Sequence, residues 1–197
     1  MTRLIAMLAL ALTLTACAQE GETPEMLDLG DFTLGHNIVV APDLQKGPTS
    51  RNATEEELIE AVQTQLDKRL GRYEGERLVH IGVNIGAYVL ARRGVPLVYT
   101  PKSVLGLTVT AWDDRAGGKF HEKPKQIFAF EQFGSSPIVG SGYTTTREEQ
   151  IEALSISAAR QIEKWLADNA QCMTENPSEE VLKDCWKDTP PPQIDES

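Results

Sequence analysis

The sequence predicts an α+β domain: a four-stranded, mainly antiparallel sheet, two amphipathic helices packed on one of its faces, and a short C-terminal helix. Three observations carry that expectation. Residues 55–70 and 146–166 place apolar side chains at three- and four-residue steps, the period of a helix with one buried stripe. Residues 78–91, 103–113 and 125–133 alternate apolar and polar positions, the period of strands with one buried face. Gly, Pro and Asp clusters separate these runs. With 197 residues, 41% of them hydrophobic, the chain suffices for one domain with a real core. Two helical stripes and three or four strand faces can all be buried in a single two-layer arrangement.

The elements follow in order. His36 to Ala41 (HNIVVA) is a short strand ended by Pro42. Thr54-Glu55-Glu56-Glu57 matches a capping box, and Leu58, Ile59, Val62, Leu66 and Leu70 follow on one stripe until Gly71. In 78–91 the odd-numbered positions from Val79 to Ala91 form one face. His80, Gly82, Asn84, Gly86, Tyr88 and Leu90 form the other. Val95 to Thr100 is a short strand limited by Pro96 and Pro101. Residues 103–113 place Leu105, Leu107, Val109 and Ala111 inward, with Thr108, Thr110 and Trp112 opposite. Asp113 to Lys119 reads as a hairpin connection in which Gly117-Gly118 supplies positive φ, and 125–133 returns as a strand. After a Gly/Ser-rich loop at 134–145, Thr146 to Glu149 is a second capping box. Ile151, Leu154, Ala158, Ile162, Trp165 and Leu166 continue it.

Charge and cysteines narrow the function. Lys+Arg number 19 against 29 Asp+Glu, a net charge of −10. That acidic balance lacks the cationic footprint that nucleic-acid phosphates require. The N-terminus, MTRLIAMLALALTLTA, has Arg3 ahead of an apolar run from Leu4 to Leu14. Such a run is too short to span a bilayer and has the layout of a secretory signal. Its end, Leu14-Thr15-Ala16-Cys17, resembles the bacterial lipobox. The resemblance implies that Cys17 becomes the mature N-terminus and carries diacylglycerol and an amide-linked acyl chain, a stable anchor. Ala18 in place of Asp then points to the outer membrane. Loss of residues 1–16 removes one cation and no acid, taking the net charge to −11. Lipid therefore holds the protein at the membrane, and attraction to anionic headgroups does not.

In that oxidising compartment Cys172 and Cys185 are expected to pair across CMTENPSEEVLKDC, which holds a short helix capped by Ser178. Two free thiols or a metal pair are the alternatives, and no His or further Cys lies nearby. The domains are then a signal at 1–16, a lipidated acidic tether at 17–35, the globular domain at 36–187, and a Pro-rich acidic tail at 188–197.

Motifs for catalysis are sparse. His36, His80 and His121 are far apart in sequence, with no HExxH and no Cys/His cluster, so no metal and no cofactor is expected. Gly140-Ser141-Gly142 lacks the spacing of a nucleophile elbow. The loop before the second helix offers free N–H groups to an anion, but Glu148 and Glu149 would repel phosphate. Asp113 and Asp114 are adjacent carboxylates that point opposite ways at a strand end, and a turn role fits them. The remaining feature is the second face of the sheet. Asn84, Tyr88, Thr108, Thr110, Trp112, Phe128 and Phe130, beside Gly82 and Gly86, would form a shallow, partly apolar surface there.

A lipobox, a polar tether, and then strand, helix, three strands and helix resemble the small outer-membrane lipoproteins of bacteria, the lipopolysaccharide-assembly lipoproteins among them. The resemblance implies a non-enzymatic, lipid-anchored, periplasm-facing domain that meets an envelope protein partner in assembly or maintenance. A lipid or small-ligand carrier using the second face is the alternative, and a hydrolase with an unrecognised site is a third reading.

Overall fold

The computed structural model describes residues 25–92, 102–131 and 145–187. Cys17, the Val95–Thr100 strand, the Gly140-Ser141-Gly142 stretch and the tail at 188–197 lie outside the described residues. The element order is β1 (Phe32–Val40), β2 (Gln45–Lys46), α1 (Glu55–Leu70), β3 (Arg77–Val89), β4 (Val104–Asp113), β5 (Gly118–Lys119), β6 (Lys125–Phe130), α2 (Arg147–Ala167), a 3-10 turn (Ala170–Met173) and α3 (Glu179–Asp184). The class is α+β with a mixed sheet. β1 runs parallel to β3, while β3–β4 and β4–β6 are antiparallel. The short β2 extends the β1 edge along β3, and β5 extends the β6 edge along β4.

The expected mainly antiparallel sheet of four strands is thereby corrected to a mixed sheet of six. Parallel strands need a crossover, and the sixteen-residue α1 between β1 and β3 supplies it. Both predicted capping boxes form. The Glu57 N–H donates to Thr54 Oγ1 and the Thr54 N–H to Glu57 Oε2. Thr146 and Glu149 repeat the exchange. Leu58, Val62, Leu66 and Leu70 of α1 are buried against the sheet together with Ile151, Leu154, Ala158, Ile162 and Leu166 of α2. Both helices lie on the face formed by Val79, Ile81, Val83 and Ile85 of β3 and Leu105, Leu107, Val109 and Ala111 of β4.

The domain begins before residue 36. Leu29 and Phe32 are buried in the core, so the stretch assigned to the tether already contributes to the fold from Leu29 onward. Their apolar side chains stand among acidic neighbours, which masks the strand period. At the other end, the described part of β6 stops at Phe130. There the Phe128 carbonyl on the outer edge accepts a hydrogen bond from Gln161 Nε2 of α2 at 3.0 Å.

The alternation of β3 breaks at a bulge between Ile85 and Ala87. One extra residue inverts the faces after it. Tyr88 turns into the core at 4% exposure, where its hydroxyl donates to the Ala53 carbonyl and accepts the Ala53 N–H, both at 3.1 Å. Ala87 turns outward. Tyr88 is therefore removed from the second face.

The C-terminal segment folds back as expected. Cys172 and Cys185 are joined by a disulfide, and Ser178 caps α3 through the Val181 N–H. The Trp186 ring packs against Phe120, His121 and Trp165, while the Trp186 backbone N–H donates to Asn169 Oδ1 at 2.7 Å.

Candidate functional site

With both helices on one side, the other side of the sheet is uncovered by any described residue. The strand register lays it out in rows: His80 beside Trp112 and Lys119; Ile38 beside Gly82 and Thr110; Val40 beside Asn84, Thr108 and Gln126; Ala87 beside Gly106 and Phe128; Val89 beside Val104 and Phe130. Ile38, Val40 and Phe130 are exposed, Phe128 is 53% and Trp112 40% exposed. Asn84 is exposed, and Thr108 and Thr110 are half-buried. Six of the seven residues expected on this face, all but Tyr88, are there. Ile38, Val40 and Ala87 join them.

Two properties set this surface apart. On a chain of net charge −10, β1, β3, β4 and β6 place no acidic side chain on it. Five of the acids lie in the first turns of α1 and α2 instead, at Glu55, Glu56, Glu57, Glu148 and Glu149. Its centre is also low. A Cβ built on Gly82 would meet nothing nearer than the Thr110 carbonyl oxygen at 3.9 Å, whereas the Phe128 ring leans over Gly106. A mid-strand glycine that its own fold does not require marks a place where another molecule can approach closely.

At one corner two histidines that are distant in sequence meet. The rings of His36 and His80 stack with centroids 4.9 Å apart. The His36 N–H donates to His80 Nδ1 at 2.8 Å, which leaves the proton of a neutral ring on Nε2, facing Asp114 Oδ1 at 3.2 Å. Gly35 is required beneath them, because a Cβ there would lie 2.4 Å from His80 Nδ1. A bulge in β1 between Leu34 and Asn37 creates this arrangement, and no spacing rule in the sequence announces a bulge. His121 also acts on backbone: its Nε2 accepts the Ala111 N–H of β4 between β5 and β6.

The adjacent carboxylates separate as expected. Asp113 is buried and paired with Arg77 at 2.6 Å. Burial pushes its carboxyl up, but the hydrogen bond and charge of Arg77 outweigh that and hold it below the ordinary range. Arg77 also donates to the carbonyls of Cys172 and Thr174, tying the disulfide segment to the sheet. The hydroxyls of Ser50 and Ser103 accept the N–H groups of Leu90 and Ala91 at the end of β3. Among the described residues no group of three or more His, Cys, Asp or Glu is placed to hold a metal ion.

Glu131, just after β6, is buried, and among the described residues no donor reaches either carboxyl oxygen in full hydrogen-bond geometry, Ser103 being its nearest polar support. Burial raises its pKa, and Ser103 and Arg51 offset this only in part. A carboxyl raised in the folded state favours folding below its unfolded pKa and loses that contribution as pH rises through the folded value. Glu131→Gln should therefore stabilise the domain by about 1 kcal/mol at pH 7 and leave it unchanged or weaker at pH 4. Urea melts at the two pH values check this.

No family model matches the chain, and no curated protein matches it. Solved structures do. A candidate lipoprotein of Caulobacter crescentus is 16% identical over 64% of this chain and 88% of its own, with a TM-score of 0.36. A Xanthomonas campestris protein of family DUF330 is 8% identical over 72% and 92%, at 0.38. A minor lipoprotein of Acinetobacter baumannii is 19% identical over 68% and 93%, at 0.30. At those scores the likenesses carry no argument about function. No helix among the described residues is long and apolar enough to cross a membrane.

Proposed function

We propose that the chain is a lipid-anchored envelope protein, held through Cys17 at the outer membrane and facing the periplasm. It works without catalysis by presenting the open sheet face to a protein partner in envelope assembly or maintenance. The observation that carries this reading is a face that no described residue covers and on which β1, β3, β4 and β6 place no acid, bearing Ile38, Val40, Phe128 and Phe130 on an otherwise acidic protein. Solvent-exposed apolar area of this kind is costly to keep unless something covers it in use. An acyl chain laid on so open a surface would stay wet along one side, which favours a protein partner over a lipid cargo.

The test is a pull-down of the mature domain with envelope proteins, comparing wild type with Phe128→Asp. A partner recovered by the first and lost by the second, with unchanged thermal melts, supports the reading. Recovery of nothing, with lipid bound in native mass spectrometry, would replace it by the carrier. The anchor has its own check: Cys17→Ser should abolish acyl labelling and membrane retention.

The low centre gives a further expectation. A Cβ at Gly82 is clear of its neighbours and valine suits a strand, so Gly82→Val should stabilise the domain by roughly 0.5–1 kcal/mol. It should also weaken partner capture, because it fills the hollow. A thermal melt read beside the pull-down shows whether stability and capture move in opposite directions.

A further inference from the structure

The position at which the tether joins the domain bears on what the adjacent surface touches. The first described residue, Glu25, lies eight residues after Cys17, and eight residues reach at most roughly 29 Å. Little slack follows. The Leu27 N–H donates to the Tyr73 hydroxyl at 3.0 Å, Leu29 is buried, and the Asp31 carbonyl accepts the Arg77 N–H at 2.7 Å. The chain thus arrives already fastened at the pole where β1 and β3 begin and β4 ends.

That pole carries several exposed apolar side chains. Met26 and Leu27 are exposed on the arriving chain, Leu78 near the start of β3, and Trp112 near the end of β4. Leu182 of α3 is exposed as well. Its segment is drawn to the same pole by the disulfide, by Arg77, and by Arg115 donating to the Glu175 carbonyl. The Lys119 ammonium sits 5.4 Å from the centre of the Trp112 ring. A tryptophan with an apolar body and a polar N–H, paired with a lysine whose stem is apolar and whose head is charged, suits the boundary between headgroups and acyl chains. Asp28, Asp31, Glu74, Glu76 and Asp114 belong to the same pole, so the surface it suits is zwitterionic, with no net pull from anionic lipid.

We propose that this pole rests on the bilayer, with Trp112 seated in the headgroup zone and Met26, Leu27, Leu78 and Leu182 around it. The proposal rests on the acylation of Cys17, which brings the pole within reach of the membrane. Ile38, Val40, Phe128 and Phe130 then remain clear of the lipid for a protein partner.

The test reconstitutes the full acylated chain into phosphatidylcholine vesicles whose acyl chains carry bromine close to the headgroup. Trp112 is one of three tryptophans, and Trp165 and Trp186 pack against each other. Quenching should therefore remove part of the emission, be insensitive to salt, and vanish in Trp112→Phe, whose thermal melt should match wild type. Acylated, vesicle-bound protein whose emission is not quenched, or is quenched equally in Trp112→Phe, overturns the seating and leaves the anchor standing. A chain with no acyl label that stays off the vesicles overturns the anchor, and the seating with it.

Discussion

Replacing Glu163 by alanine should cost about 3–5 kcal/mol of folding stability. The Glu163 side chain is fully buried within α2, yet it is the meeting point of three other groups. Arg69 Nε donates to its Oε2 at 2.6 Å, Arg72 Nη2 to its Oε1 at 3.1 Å, and the Tyr73 hydroxyl to its Oε1 at 2.8 Å. The arginines sit at the end of α1 and just beyond it, so one carboxylate closes the layer between the helices. It also orients the tyrosine that holds Leu27. Its removal takes the carboxylate from two largely desolvated guanidinium groups, of which Arg72 keeps its bond to the Arg69 carbonyl, and the uncompensated charge costs more than the lost bonds themselves. Glu163→Gln keeps an acceptor and should lose less. Tyr73 offers a second readout. Burial, then the hydrogen bond and charge of Glu163, push its phenol up to about 12. A raised value means this contribution is whole below about pH 10 and is lost as pH climbs through about 12. In Glu163→Ala the ultraviolet titration of Tyr73 should fall back toward the ordinary phenol range. A variant that melts like wild type with an unmoved phenol would falsify the account.

The second large effect is expected from the disulfide. Changing Cys172 and Cys185 together to serine should cost about 3 kcal/mol, the loop-closure value for a bridge of this span. The loss should be confined in structure. The bridge holds α3 and Trp186 against Phe120, His121 and Trp165, whereas the sheet, α1 and α2 form the core without it. The double variant should therefore keep its far-ultraviolet signal while the tryptophan emission shifts to the red. Reduction of wild type should reproduce the shift. Unaltered emission on reduction would mean that Trp186 is held by its neighbours alone.

Much of this architecture is legible in the residues. The two capping boxes fix where α1 and α2 start, because Thr and Glu at three-residue spacing answer a local need of the backbone. The alternation of β4 fixes its two faces over its whole length. What escapes is non-local. The parallel pairing of β1 with β3 is a choice between edges that no period in either strand expresses. The bulge after Ile85 adds one residue, and one residue is enough to carry Tyr88 from the predicted open face into the core. The burial of Leu29 and Phe32 is hidden by the acidic residues around them. The stacking of His36 on His80 depends on a second bulge. The face residues other than Tyr88 were legible because they lie in regular stretches of β3, β4 and β6, and the period of two holds there.

The hydrogen bond from Gln161 to the Phe128 carbonyl has a consequence for crowded surfaces. An anchored protein diffuses in two dimensions at high local density, the condition under which bare strand edges template aggregation. The β6 segment, Lys-Gln-Ile-Phe-Ala-Phe, has the aromatic and β-branched makeup of an aggregation-prone hexamer. Gln161 occupies the middle acceptor on the edge that no described strand pairs, and the bulge at Gly35–His36 bends the opposite edge out of register. Among the described residues both borders of the sheet are thus poor templates for another strand, so copies anchored as proposed could crowd on a membrane without zipping together.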